Sequence, residues 1–481
     1  MSERIHCEEY LYLPALTHDA AIIAWGGFFF EVEQEDDEEE WELLDDSKLP
    51  KRAGRKQSIG ESAEAYAPRA TVFVTEAGAG VTQEISVEAA NHAVVRGLKP
   101  DTEYAYRVVA HETSGQDREW AAGPLRDWVI VNGEGSMRAG GRYDNRFRTF
   151  PAPAAQAAAL TFAVIGDFGR GVRKMSATPR CQRETAEALE QAVNERDVRL
   201  ILTTGDNIYA KTFLGIPTSA SGDEDDDWFF TYFQPYRYII NRVPVFPAVG
   251  NHDEAENEQS VDREQIYDNL YLRAQFREGR GAKDASLDHG IRPAEDASLD
   301  HGLFYRFRFG ADIEFVCLDT SKGSSGKRHF DLAENEPFIT RVFAPSAPRW
   351  RIPYSHHPAY CAGPRHSGSQ SLRKFLKERA NGVRVSFSGH EHNFQYARDA
   401  EQRHFLTGGG GKFRDGRLSD SRLAAEMIQA WGGNDEGHFL LVEINGAEMK
   451  VTPIGHRQDG RLRPIKINPV GEEPVTPPFV I

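Results

Sequence analysis

At 481 residues and 40% hydrophobic content the chain can bury more than one core, and its net charge of −16 argues against nucleic acid or an anionic membrane surface as a partner. No stretch approaches the roughly 20 apolar residues that span a bilayer. Four scattered cysteines, Cys7, Cys181, Cys317 and Cys361, do not frame a disulfide scaffold, and Met1 to His18 lacks the basic and apolar regions of a secretory signal, so a reducing, cytoplasmic setting is the default expectation.

The first 150 residues read as an all-β sandwich. Ala20 to Trp25, Ala70 to Val74, Gln83 to Val87, Ala93 to Val95 and Tyr104 to Val109 are short strands separated by turn signals. Between the first two lies an acidic insertion, 31–61. Glu31 to Asp46 holds eleven carboxylates and no basic residue, and Lys48 to Lys56 then supplies five positive charges. Self-repulsion predicts a solvated excursion for this block. Pro151 to Ala159, rich in Pro and Ala, reads as a linker.

Past the linker, Thr161 to Ile165, Arg199 to Thr204, Val243 to Val249 and Val383 to Ser388 are apolar, β-branched runs that predict buried strands. A helix is expected from about Thr178 to Arg196, with Thr185, Leu189 and Val193 on one face. Each of these strands runs into Gly followed by a polar residue, which is where the carboxyl end of a strand opens into a site-forming loop. Four blocks result, Gly166-Asp-Phe-Gly169, Gly205-Asp-Asn-Ile-Tyr209, Gly250-Asn-His-Asp253 and Gly389-His-Glu-His392, and His356-His-Pro358 adds a fifth. They converge on one expected rim, with no Lys or Arg cluster beside them. A duplicated Asp-Ala-Ser-Leu-Asp-His-Gly at 284–290 and 296–302, carrying His289 and His301, reads as a repeated loop segment. Residues 457–481 are expected to form a C-terminal tail.

Carboxylates, a phenol, an amide and imidazoles in this order suit two cations. A carboxylate at Asp206 would bridge them, and cations ~3.5–4 Å apart clamp a phosphate ester and acidify a bound water.

The five blocks resemble those of the calcineurin-type metallophosphoesterases, and within them the purple acid phosphatases, over residues 160 to about 456. The superfamily usually writes its first block Asp-x-His. Here Gly169 stands at the histidine position, and Tyr209 resembles the phenolate that purple acid phosphatases use instead, a hard anionic donor that favours trivalent iron. The resemblance implies an α/β domain of two mixed β-sheets flanked by helices, at 160–456. It assigns Asp167, Asp206, Tyr209 and His392 to Fe(III). Asp206, Asn251, His356 and His390 would hold a second, divalent metal, Zn, Fe or Mn. His356 is preferred to His357, the latter orienting a neighbour or packing. The implied activity is hydrolysis of phosphomonoesters by a hydroxide held at this Fe(III)–M(II) centre, under acidic conditions, with a small phosphate ester as ligand.

His252 would contact phosphate or protonate the leaving group, held by Asp253, and His366 would face the substrate. The loop at Gly97 to Tyr106 resembles that of fibronectin type III domains, with Tyr104 as its corner tyrosine, and larger purple acid phosphatases carry such a domain first. The family habit is secretion, so a secreted or periplasmic location competes with the cytoplasmic default. A homo-oligomer is compatible with the resemblance. The alternatives are a phosphodiesterase or nucleotide pyrophosphatase of the same fold and, in another class, an adhesion or scaffold protein with an idle metal core.

Overall fold

Alternation in the N-terminal strands closes two sheets over one core. Glu103–His111 buries Tyr104, Tyr106, Val108 and Ala110 and turns the intervening side chains outward. The computed structural model describes residues 4–35, 38–43, 69–88, 90–111, 117–121, 129–131, 135–137, 143–157, 159–169, 181–209, 211–213, 216–219, 228–253, 266, 269–272, 303–321, 330, 336–345, 348–455, 461–471 and 475–481. In one sheet Ala20–Glu35 pairs with Arg4–Leu16, His92–Arg96 and Glu38–Leu43. In the other, Arg69–Glu76 lies between Thr82–Glu88 and Glu103–His111, which in turn pairs with Arg146–Arg148. The Lys99 N–H donates to the Tyr104 hydroxyl at 2.8 Å, so the phenol fixes the loop that leads into its own strand.

The acidic block departs from the expected excursion. Ala20–Glu35 runs into it and pairs antiparallel with Glu38–Leu43, setting Phe30 opposite Leu43, Val32 opposite Trp41 and Glu33 opposite Glu40. Facing glutamates disfavour this ladder. The apolar residues interleaved among the carboxylates supply the strand alternation that the charge count concealed. Residues 44–61 of this insertion and the duplicated segment at 284–302 lie outside the described residues.

Two mixed sheets form the second half. In the first, Ala159–Ile165, Val198–Thr203 and Val245–Pro247 run parallel, and His438–Asn445 then Glu448–Gly455 continue the sheet antiparallel. The second orders Tyr305–Phe309, Ile313–Cys317, Trp350–Tyr354, Val385–Ser388, Gln402–Thr407, Phe394–Asp399, Ile428–Gly432 and Ile467–Pro469. The sheets pack face to face: Phe162 meets Phe315 and Phe387 edge-on at 5.1 and 6.0 Å, and Phe246 stacks on Phe307 at 3.8 Å.

Helix Gln182–Glu195 covers the first sheet with Thr185, Leu189 and Val193 buried, on the face read from the sequence. The expected tail is built into both sheets: Arg463–Pro464 and Phe479–Val480 pair with Glu448–Gly455, and Ile467–Pro469 pairs with Ile428–Gly432. Two- and three-residue strands carry too little periodicity to read in advance.

One hydrophobic core runs through the sandwich and both mixed sheets. Tyr10 packs on Phe229 and Phe233, and the Arg237 guanidinium donates to the Glu8 carboxylate at 2.8 Å with both side chains buried. Among the described residues no helix is long and apolar enough to cross a membrane.

Candidate metal centre

The polar blocks leave strands of both sheets. Asp167, Asp206 and Asn251 follow the three parallel strands of the first sheet, whereas His356 and His390 follow Trp350–Tyr354 and Val385–Ser388 of the second. The site therefore lies where two sheets bring their carboxyl ends together, a double rim in place of the single one expected. Asp167, Asp206 and His390 all adopt left-handed backbone, with φ of 56°, 51° and 76°. Three such residues at one locus mark a conformation held by its surroundings.

Gly169 explains why one block lacks a histidine. A Cβ there would lie 2.0 Å from the Asn207 carbonyl oxygen. The two loops are laced together, the Gly169 N–H donating to the Asp206 carbonyl at 3.2 Å and the Tyr209 N–H to the Gly169 carbonyl at 3.0 Å. No side chain fits at 169 while the turn carrying Asp206 and Tyr209 stays in place. That close approach is also what brings the Tyr209 phenol to Asp167.

Two adjoining donor sets result. In the first, the Tyr209 hydroxyl lies 3.0 Å from Asp167 Oδ1 and 3.1 Å from His392 Nε2, and His392 Nε2 is 3.5 Å from the same carboxylate oxygen. In the second, His356 Nε2 faces Asn251 Oδ1 at 2.9 Å, His390 Nδ1 at 3.1 Å and Asp206 Oδ1 at 3.4 Å. Asp167, Asp206 and His356 present ligand atoms all within 4.8 Å of one another, which joins the two sets. Backbone amides orient the carboxylates: the His390 N–H donates to Asp167 Oδ2 at 2.8 Å and the His252 N–H to Asp206 Oδ1 at 2.9 Å.

These residues fit a pair of cations. His356 Nδ1 donates to the Thr204 carbonyl at 2.8 Å, which fixes the tautomer and leaves the Nε2 lone pair directed at two oxygen acceptors. Acceptors facing each other require a shared electrophile. Burial, then the neighbouring histidines, holds His390 well below the usual imidazole range. Burial, then Lys412 and Arg414, does the same for His392, so both rings are neutral donors. The carboxylates split: burial and the Asp206 charge push Asp167 well up, while Asp206, despite its burial, is held low by His356 and His252. The donor set of carboxylate, phenol, amide oxygen and imidazole suits hard and borderline ions.

His252 lies at the rim, half-buried, its ring 4.5 Å from that of Tyr209. Asp253 does not hold it. The Asp253 carboxylate accepts from the Gly250 N–H at 2.8 Å, the Ile208 N–H at 3.0 Å and the Asn207 amide at 2.8 Å, bracing two ligand loops against each other. Burial, then the charge of Asp206, pushes it up to about 6. His366 stacks beside His390 with ring centres 3.9 Å apart. His357 contacts the Thr320 hydroxyl through Nδ1 at 3.2 Å and lies 4.4 Å from the His390 ring, so it packs against a ligand candidate. It also belongs to a cluster with His356 and His390 whose ligand atoms lie within 4.8 Å.

Two residues escaped the sequence reading. Lys412 sets its ammonium 3.9 Å from the centre of the Tyr209 ring. Glu391, buried between the two histidines of its block, accepts from the N–H groups of Arg365 and His366 at 3.2 and 2.8 Å and from Arg414 at 2.9 Å. Cations therefore do stand beside the site. The signals were the position of Glu391 within Gly389-His-Glu-His392 and of Lys412 directly after Gly408-Gly-Gly-Gly411, which packs on Phe168 and Asp167.

Residues 160–394 match the family model described as calcineurin-like phosphoesterase. Tartrate-resistant acid phosphatase type 5 of Oryctolagus cuniculus is 25% identical over 316 residues, covering 61% of this chain and 86% of that protein. Its Homo sapiens counterpart is 25% identical over 321 residues, covering 62% and 87%. Among solved structures, purple acid phosphatase PPD1 from yellow lupin (Lupinus luteus) seeds superimposes with a TM-score of 0.59 at 12% identity, over 97% of this chain and 74% of that one. PhoD does so with a TM-score of 0.55 at 14% identity, over 96% and 88%. At such identities the structural likeness concerns the fold.

Proposed function

Since residues 160–394 carry a calcineurin-like metallophosphoesterase domain, we propose that the chain is a metal-dependent phosphatase of the purple acid phosphatase kind, acting on phosphomonoesters. The observation that carries this reading is the Tyr209 hydroxyl between Asp167 and His392, 3.0 and 3.1 Å away, where Gly169 leaves no room for a histidine. Asp167, Asp206, Tyr209 and His392 would hold Fe(III). Asp206, Asn251, His356 and His390 would hold a divalent ion. When bound, the pair of cations supplies Lewis acidity toward the phosphate and toward water.

The chain's own groups account for the rest. Asp206 shares a group of ligand atoms within 4.8 Å with Asp167 and His356, and the His252 amide orients its carboxylate. His356 is locked by Thr204 so that one ring nitrogen always faces inward. Asp253 ties the turns at 205–209 and 250–253 into one body. His252, at the rim, would bind a phosphate oxygen and give a proton to the departing alkoxide. We read the sandwich of residues 1–150 as fibronectin type III-like, a reading supported by the Tyr104 corner.

A substrate panel tests the proposal. The metal-loaded protein should hydrolyse monoesters well above matched diesters, and His252→Ala should harm alkyl esters, which need leaving-group protonation, far more than activated aryl esters. Preference for diesters or pyrophosphates would overturn the monoester assignment while sparing the fold. An equal loss on both ester types would move His252 from proton donor to phosphate ligand.

A further inference from the structure

Beside the ligand cluster lies a cleft of about 290 Å³ whose walls include His357, Arg365, His366, Ser369 and His390. No carboxylate lines it among the described residues. We propose that this cleft receives the alcohol portion of the ester and that Arg365 selects leaving groups bearing a second anion, a carboxylate or another phosphate. The proposal rests on the phosphatase reading above and adds the substrate class.

The loop carrying Arg365 is built to hold that side chain out. Buried Glu391 accepts from the Arg365 and His366 amides, at 3.2 and 2.8 Å. Arg422 grips the same loop from outside, donating to the Gly363 carbonyl at 3.3 Å, the Pro364 carbonyl at 3.1 Å and the Ser367 hydroxyl at 3.5 Å. Two of the three local arginines are thus engaged in architecture: Arg414 is paired with Glu391 at 2.9 Å and Arg422 is bound to the loop. Arg365 differs. Its backbone is tethered, its side chain is exposed, and its guanidinium meets no carboxylate among the described residues.

Position supplies the second part of the argument. His366, the next residue, stacks on His390 at 3.9 Å, so the cleft opens directly off the ligand cluster. A phosphate held at that cluster would direct its ester substituent past His366 toward the Arg365 guanidinium. In a chain of net charge −16, a cleft whose charged lining side chain is a guanidinium, with no carboxylate among the lining residues, is a local reversal of sign that favours an anionic group. A guanidinium also matches carboxylate and phosphate geometry through paired N–H donors.

The test uses the full-length, metal-loaded protein with 4-carboxyphenyl phosphate and its neutral partner 4-carbamoylphenyl phosphate. Their non-hydrolysable benzylphosphonate analogues serve as binding probes. The wild type should favour the carboxylate over the amide by about 5- to 10-fold in kcat/KM and in affinity, the range of one charge-assisted pair at a wet rim. Arg365→Gln should bring both ratios to near one with the amide compound unchanged, and Arg365→Lys should restore part of the preference. High salt should shrink the wild-type ratio. Equal handling of the two compounds by the wild type, or equal loss on both in Arg365→Gln, overturns the proposal and leaves the phosphatase reading standing. If the wild type neither binds nor hydrolyses either compound, the phosphatase reading falls and this proposal with it.

Discussion

Tyr209 is the residue on which the site's individuality depends. Its hydroxyl touches both Asp167 and His392, and its ring is flanked by His252 and the Lys412 ammonium. Tyr209→Phe keeps the ring and removes one donor atom. The iron-loaded wild type should show a broad visible absorption band that this variant loses, with thermal stability nearly unchanged and iron retained less well than the second metal. An unchanged band would remove Tyr209 from the ligand set. The seven ligand candidates were readable in the sequence because ligand chemistry restricts residue type, and each block announced itself after an apolar strand. Glu391 and Lys412 were not, because buried carboxylates and loop lysines take their meaning from what faces them. Adjacency in the chain pairs Asp253 with His252, whereas its partners are Gly250, Asn207 and Ile208.

Elements matter through their close approaches. The turns at 166–169 and 205–209 are laced by backbone hydrogen bonds with no space at Gly169 for a Cβ. Gly169→Ala should therefore destabilise the fold by about 1–3 kcal/mol, the usual cost of overpacking. Because the same displacement moves Asp206 and Tyr209, metal retention should fall with it. Denaturant titration alongside metal analysis measures both, and a variant with wild-type stability and metal content would contradict the packing argument. The buried strands were readable because burial on both faces leaves continuous apolar runs such as Arg199 to Thr204. The hairpin of Ala20–Glu35 and Glu38–Leu43 was obscured by its carboxylates, and the strands past residue 460 by their brevity.

For the whole molecule, acid is a structural load. His438 is buried in the first mixed sheet and held down to about 4 by that burial, and His404 in the second is held down to about 3. The unfolded chain binds these protons near pH 6.5 and the folded chain does not. Stability is therefore fully present above that pH and falls as pH drops toward the folded values, by about 1.4 kcal/mol per pH unit for each histidine. His438→Asn should flatten the fall between pH 6.5 and 4 by one proton's worth, read from urea midpoints across that range. An unchanged slope would show that His438 titrates normally. The continuous core joining sandwich to catalytic sheets, with Tyr10 on Phe229 and Phe233, means this loss is shared by the whole chain.

The functional proposal stands on two cations sharing Asp206, whose carboxylate joins Asp167 and His356 in a group with all three ligand atoms within 4.8 Å of one another. Metal content and phosphomonoester turnover, measured on the same preparations of wild type and Asp206→Asn, test it most directly. Two metals per wild-type chain, at most one in the variant, and a loss of turnover beyond the ~10–100-fold typical of outer-sphere changes are the predicted result. An Asp206→Asn protein that keeps both metals and near-normal turnover would contradict it.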